Sequence, residues 1–366
     1  METRHTIRPS PHSKVANTSP PSASRSFVFP SVSRLSTFLS HMNHAGDTPA
    51  ISISHIAKRF AEHTAVRDLS LVVPRGAVYG LLGPNGAGKT TTIRMLLDIM
   101  EPDSGSIEIF GRPHTERGIT DRIGYLPEER GLYKKMQVRR VLRFLAAIKG
   151  VPSKEADRRI TMWMERLGLR TAEKDWGLSK VDELSRGMQQ KVQFIGTLLH
   201  EPQLVILDEP FSGLDPINAQ SLKDIMVDLR KEGRTVLFST HLMESAERLC
   251  DSVCIIARGE KVLDGGVAEV KSRHAGRFVA VAFAAGGAEA AAGVLSDRTL
   301  IARADDSNRT LEIQLAGGAD PQRLLKRLVE SGAGVERFEL VQPSLHRIFL
   351  DAVGATGVEE GITGHG

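Results

Sequence analysis

Apolar and polar residues alternate along Ile51-Ser52-Ile53-Ser54-His55-Ile56, which predicts a strand with one buried face, and residues 65–73 predict a second strand. Other runs do not alternate. Val78-Tyr79-Gly80-Leu81-Leu82, Leu204-Val205-Ile206-Leu207, Thr235-Val236-Leu237-Phe238 and Val253-Cys254-Ile255-Ile256 are apolar almost throughout. Such runs predict strands buried on both faces, as in a parallel sheet covered by helices. Residues 106–110 and Ile123-Gly124-Tyr125-Leu126 predict short strands, and residues 90–97, 138–149 and 156–167 carry helical spacing. The pattern up to about Lys271 is that of an α/β domain.

Beyond Lys271 the pattern changes. Strand-like residues 277–284 are followed by helix-like 288–295, strand-like 299–303 and 310–315, helix-like 321–331 and strand-like 335–341. The order βαββαβ predicts a small α+β domain of ferredoxin-like arrangement. Residues 1–47, rich in Ser and Pro, predict a disordered extension. Three readings of it stand: a start codon at Met42, a disordered tail, or an Arg- and Ser-rich transit peptide.

Chemistry enters after the third predicted strand. Gly83-Pro84-Asn85-Gly86-Ala87-Gly88-Lys89-Thr90-Thr91 fits the phosphate-binding pattern Gly-x-x-x-x-Gly-Lys-Ser/Thr, placed between an apolar strand and a helix. In that setting backbone N–H groups and the helix N-terminus converge on phosphate oxygens. Lys89 then supplies a point charge for the β- and γ-phosphates, and the Thr90 hydroxyl is placed to ligate Mg²⁺. The strand and helix weigh against a mere glycine-rich turn. Leu204-Val205-Ile206-Leu207-Asp208-Glu209-Pro210 is an apolar strand ending in two acids. Asp208 is expected to hold Mg²⁺ through water and Glu209 to orient or deprotonate the attacking water, although such a pair can also cap a helix.

Composition narrows the class. With 41% hydrophobic and 25% charged residues, the 366-residue chain reads as a soluble globular protein with room for one large or two ordinary domains. Of its net charge of +4, residues 1–47 carry +3, so the remainder gives no support for a nucleic-acid-binding surface. Cys250 and Cys254 are too few for a disulfide framework and read as small buried apolar residues. No segment has the length and apolarity of a membrane span; the nearest, 278–295, is interrupted by Gly286, Gly287 and Glu289. Membrane work must therefore fall to a partner.

The remaining motifs carry a resemblance. Leu184-Ser185-Arg186-Gly187-Met188-Gln189-Gln190-Lys191 resembles the signature motif of ABC transporter ATPases, usually Leu-Ser-Gly-Gly-Gln. Ser212-Gly213-Leu214-Asp215 is similar to that family's D-loop, with Asp215 at its end, and His241 in Phe238-Ser239-Thr240-His241 to its switch histidine. Phe60 matches the aromatic that stacks on adenine, so the resemblance covers residues 51–270. Read alone, Ser185 could be an ordinary helix cap and His241 a packed strand-end histidine.

The resemblance implies a P-loop NTPase fold, with a RecA-like core, an antiparallel β subdomain, a helical subdomain and the ferredoxin-like C-terminal domain. It also implies that Ser185 and Gly187 approach the γ-phosphate from a second subunit, homo- or heterodimeric, and that Lys89, Glu209 and His241 serve catalysis. Two departures stand out: Arg186 and Met188 replace a glycine and a glutamine of the signature, and Glu128 occupies the Q-loop position where glutamine is usual. A carboxylate can still ligate Mg²⁺. The stretch Tyr125-Leu126-Pro127-Glu128-Glu129-Arg130-Gly131-Leu132-Tyr133 is similar to that of ATPase subunits of ABC-2 type exporters, notably the sodium-export group.

The expected protein is thus an ATP- and Mg²⁺-dependent ATPase subunit. It would lie peripherally on the inner face of the cell membrane, bind a separate integral membrane permease, energise export and bind no nucleic acid. The expected domains are 48–271 and 272–353, between an extension at 1–47 and a disordered tail at 354–366. Two other classes compete: a soluble ABC ATPase acting on ribosomes or DNA, and a regulatory ATPase with a ligand-sensing C-terminal domain. The former usually carries a second cassette, long coiled coils or zinc modules, of which the sequence has no sign.

Overall fold

The computed structural model describes residues 48–129, 131–274, 278–307 and 310–354. The extension expected over 1–47 and the tail expected over 354–366 therefore lie outside the described residues, apart from the backbone of Gly354. The first part of the chain runs β1 (Ile51–Phe60), β2 (His63–Val73), β3 (Val78–Leu82), α1 (Lys89–Leu96), β4 (Ser104–Ile109), β5 (Arg112–Pro113) and β6 (Ile123–Leu126). Helices α2 (Val138–Ile148), α3 (Ser153–Arg166) and α4 (Arg186–Leu198) follow, then β7 (Leu204–Asp208), α5 (Pro216–Lys231), β8 (Thr235–Thr240), α6 (Met243–Leu249), β9 (Ser252–Ala257), β10 (Glu260–Gly266) and α7 (Val267–Arg273).

These strands form one ten-stranded sheet in the order β5-β4-β1-β2-β10-β9-β3-β8-β7-β6. Strands β9, β3, β8, β7 and β6 are mutually parallel, and every residue of β3, β7 and β8 is buried. The unbroken apolar runs have their cause here, because the two faces bury separate cores. Val78, Leu82, Val205, Leu207, Val236 and Phe238 pack with the helices α2 to α6. Tyr79, Leu81, Leu204, Ile206 and Leu237 point to the other face, against Ile93, Met95 and Leu96 of α1 and the β1–β2 arm. That arm is antiparallel, which explains the alternation in β1.

Parallel register brings three strand ends together. Leu82 pairs with Thr240 and Asp208 with Ser239, so the phosphate loop, the Asp208-Glu209 pair and His241 all leave the sheet at one edge. This is where α/β sheets bind ligands.

The C-terminal part contains β11 (Phe278–Phe283), α8 (Gly287–Ala290), α9 (Ala292–Leu295), β12 (Ile301–Ser307), β13 (Thr310–Leu315), α10 (Pro321–Glu330) and β14 (Val335–Val341). Its antiparallel sheet has the order β12-β13-β11-β14, which is the ferredoxin-like arrangement expected. A separate core of Val279, Val281, Ile313, Leu315, Leu324 and Leu328 holds it.

One further helix was not foreseen: α11 (Leu345–Gly354). Its apolar residues Leu345, Ile348, Phe349 and Val353 belong to the core of the first sheet, with Met243 and Ala246 of α6 and Val267 and Val270 of α7. Glu247 of α6 accepts from Leu345 N at 2.9 Å and pairs with Lys271. On the opposite side Arg347 Nη2 donates to Gln314 Oε1 of β13 at 2.8 Å. The boundary expected after residue 271 falls inside α7, and α11 ties the two sheets together across it. Phe349→Ala is expected to lower unfolding stability by about 3 kcal/mol, measured by denaturant titration, because it removes a buried aromatic side chain from a packed core.

Candidate active site

Strand β3 delivers the chain to Gly83, whose φ is +153°; a Cβ there would lie 2.1 Å from Ile256 O. Gly88, at φ +107°, is equally constrained, with a Cβ placed 2.4 Å from Ala65 O. Both positions demand glycine because backbone occupies the space a side chain would need. From Gly88 the chain enters α1, whose first-turn N–H groups have no intrahelical acceptor and face the loop's concavity.

Lys89 Nζ donates to Gly83 O at 2.8 Å and Pro84 O at 3.1 Å. It also lies 3.3 Å from Glu209 Oε1, in a nearly buried ion pair. His241 Nδ1 is 3.1 Å from each oxygen of the same carboxylate, so Glu209 sits between Lys89 and His241. The Glu209 backbone has φ 47°, a sparsely populated conformation for a non-glycine residue and one that gathers at functional sites.

Asp208 is almost wholly buried. Its Oδ1 accepts from Ser239 Oγ at 2.5 Å and from Thr90 Oγ1 at 3.3 Å. Its Oδ2 is buried without a hydrogen-bond partner among the described residues. A carboxylate with one orphaned oxygen and the other in contact with a threonine hydroxyl fits a hard, oxygen-seeking cation, so the residues present suit Mg²⁺.

A cavity of about 440 Å³ is lined by Phe60, His63, Ala65, Asn85, Gly86, Ala87, Gly88, Lys89, Thr90, Thr91, Glu128 and Glu209. Phe60, at the end of β1, keeps 42% of its surface exposed, as a ring open for stacking must. A smaller cavity of about 70 Å³ adjoins it, lined by Thr90, Arg94, Tyr125, Pro127, Glu128, Glu129 and Asp208. Glu128 lines both cavities, between the glycine loop and the Asp208 side. Burial, then the Asp208 charge, pushes the Tyr125 phenol up to about 12, so it stays neutral at physiological pH.

Gly83 and Pro84 offer their carbonyls to Lys89 and do not line the larger cavity. Ser185 and Gly187 do not line it either. Ser185 caps α4, accepting from Met188 N at 3.3 Å. Asp215 caps α5, accepting from Asn218 N at 3.0 Å. The two motifs nevertheless meet, since a Cβ on Gly187 would lie 3.5 Å from Leu214 Cδ2 and 3.0 Å from Nδ2 of Asn218, the residue that Asp215 caps. Gln190 of α4 donates to Pro210 O at 2.7 Å, joining the signature helix to the segment after Glu209. Sequence reasoning missed His63 and Ala65, which carry no motif, and Ser239, whose role depends on strand register. Burial pushes the thiols of Cys250 and Cys254 well up, which matches inert, packed cysteines.

Residues 66–212 match the family described as ABC transporter. Residues 265–353 match the family described as ATP-binding protein DrrA1-3-like, C-terminal domain. The chain is 41% identical over 305 residues to the uncharacterized ABC transporter ATP-binding protein YhaQ of Bacillus subtilis, covering 83% of this chain and 99% of that protein. It is 36% identical over 234 residues to the Nod factor export ATP-binding protein I of Ralstonia nicotianae, covering 63% and 71% respectively. Among solved structures, an ATP-binding subunit of an ABC transporter aligns with a TM-score of 0.57 at 32% identity, over 62% of this chain and 93% of that one. A nucleotide loop, a metal-fitting aspartate and a glutamate held between lysine and histidine thus stand in a chain similar to these proteins along most of its length. The chain belongs to the ABC transporter ATP-binding proteins, ATPases coupled to transport, and carries a DrrA-like C-terminal domain.

Proposed function

We propose that this chain is the nucleotide-binding subunit of an ABC exporter, hydrolysing MgATP between two ATPase subunits and driving a separate membrane-spanning permease. The observation that carries the reading is the convergence of Lys89, Thr90, Asp208, Glu209 and His241 at adjoining strand ends, beside a cavity that Ser185 and Gly187 do not line. In this reading Phe60 stacks on adenine, residues 83–91 hold the phosphates, and Thr90, Asp208 and Glu128 hold Mg²⁺. Glu209 takes the proton of the attacking water. Ser185, Gly187 and the Asp215 loop meet the ATP of a second subunit, so the nucleotide is part of the interface.

Export is supported by the name of the Ralstonia relative and by the Pro127-to-Tyr133 stretch of the sequence. Among the described residues no helix is long and apolar enough to cross a membrane, which suits a subunit lying on the inner face beneath its permease. We assign residues 48–271 to the cassette and 272–353 to the accessory domain.

In this reading the permease meets Tyr133, Phe144 and Ile148, a choice supported by their exposure of 54%, 43% and 63%. Tyr133 and Phe144 meet edge to face at 5.7 Å. Val138 and Leu142 of α2 are fully buried core and take no part in that surface. Tagged protein is expected to recover a polytopic membrane protein from detergent-solubilised membranes, and Ile148→Asp to lose it. Recovery of ribosomes or DNA instead would overturn the transporter reading.

A further inference from the structure

We propose that Ser239 is a positioning residue for hydrolysis, setting the metal-facing carboxylate and the catalytic carboxylate through one hydroxyl. The proposal rests on the reading of Asp208 and Glu209 given above. Ser239 lies on β8, directly paired with Asp208 on β7, and is completely buried. Its Oγ donates to Asp208 Oδ1 at 2.5 Å and accepts from Glu209 N at 2.9 Å. One hydroxyl thus uses its proton on the first acid and a lone pair on the peptide of the second.

Both bonds act where the local structure leaves freedom. Asp208 has two equivalent oxygens; Ser239, with the longer contact from Thr90, engages Oδ1 and leaves the buried Oδ2 unpartnered, so the carboxylate is fixed with one oxygen uncommitted. Glu209 turns the chain out of β7 at φ 47°, and the turn closes with Ser212 N on Glu209 O at 3.1 Å. A peptide at the start of such a strained turn needs an acceptor fixed in place, because a different φ would move the Glu209 carboxylate away from Lys89 and His241. Ser239 supplies that acceptor from a neighbouring strand. An outer partner of this kind governs metal affinity and rate without touching the reacting atoms.

The test compares Ser239→Ala with Asp208→Asn and the parent protein. Initial ATPase rates are measured across Mg²⁺ and ATP concentrations, and binding of a fluorescent ATP analogue is measured in EDTA. Ser239→Ala is expected to lower kcat by about 10- to 100-fold and to raise the Mg²⁺ concentration at half-maximal rate by about tenfold. Nucleotide binding in EDTA should stay at the parental level, which a general packing defect would not allow. If Ser239→Ala does not fold, Ser239→Cys carries the same expectation, because a thiol keeps the volume but donates and accepts weakly. Parental kcat and Mg²⁺ dependence in the Ser239 variant, with Asp208→Asn inactive, overturns the role of Ser239 alone. Unchanged activity in Asp208→Asn overturns the site reading on which it rests.

Discussion

Lys89→Ala is expected to reduce ATP turnover by about a hundred- to a thousandfold, the loss typical when a preorganised group opposite developing charge is removed. It should weaken nucleotide binding as well. The ammonium is held by two loop carbonyls and one carboxylate, so its position is fixed before any substrate arrives. A fixed, nearly buried charge acts on phosphate far more strongly than a solvated lysine. Deleting it also takes from the nearly buried Glu209 its lysine partner and leaves His241 Nδ1 in contact with the carboxylate, so the removed ammonium costs the site a buried ion pair as well as a phosphate contact. Phosphate release and titration with a fluorescent ATP analogue check the expectation. Full turnover in the variant would place hydrolysis elsewhere in the molecule.

Much of the site was legible because it consists of local motifs on recognisable elements. Gly83 to Thr91 could be read because strand, glycine turn and helix are contiguous. Asp208 and Glu209 could be read because an apolar strand precedes them. The ferredoxin-like part could be read from the order of its elements, each with its own periodicity. What escaped depends on contacts between distant segments. Residues 345–353 carry a helical pattern after Ser344, whose Oγ accepts from Arg347 N at 3.2 Å. The partners of that helix are Met243 and Val267 of the first sheet's core, however, and nothing near residue 345 announces them. Ser239 reads as one more polar residue at a strand end until the β7–β8 register sets it opposite Asp208. The capping role of Ser185 was open in the sequence, that of Asp215 was not raised there, and the geometry shows both residues capping. Capping does not exclude the proposed contact with a partner's phosphate, because a helix N-terminus offers the same N–H groups to either.

Glu209→Gln is expected to lower kcat by about a hundred- to ten-thousandfold, the contribution usual for a positioned general base, while leaving MgATP binding intact. The substitution keeps shape and hydrogen-bonding reach. It removes the negative charge that draws a proton from water, and it removes the anion that Lys89 and His241 flank in the isolated chain. With an amide in place of the carboxylate, Lys89 and His241 are freer to face a γ-phosphate, so the ATP-bound arrangement gains relative to the nucleotide-free one. If ATP completes the contact between the phosphate loop of one subunit and Ser185 and Gly187 of the other, a subunit that binds but cannot hydrolyse should stay paired. Gel filtration or light scattering with saturating MgATP should therefore show a dimer for Glu209→Gln and a transient or undetectable one for the parent. The dimer should dissociate when EDTA strips the metal. A variant that remains monomeric at saturating MgATP, with nucleotide binding demonstrated in the same sample, would mean that Ser185 and Gly187 do not close over a neighbour's ATP.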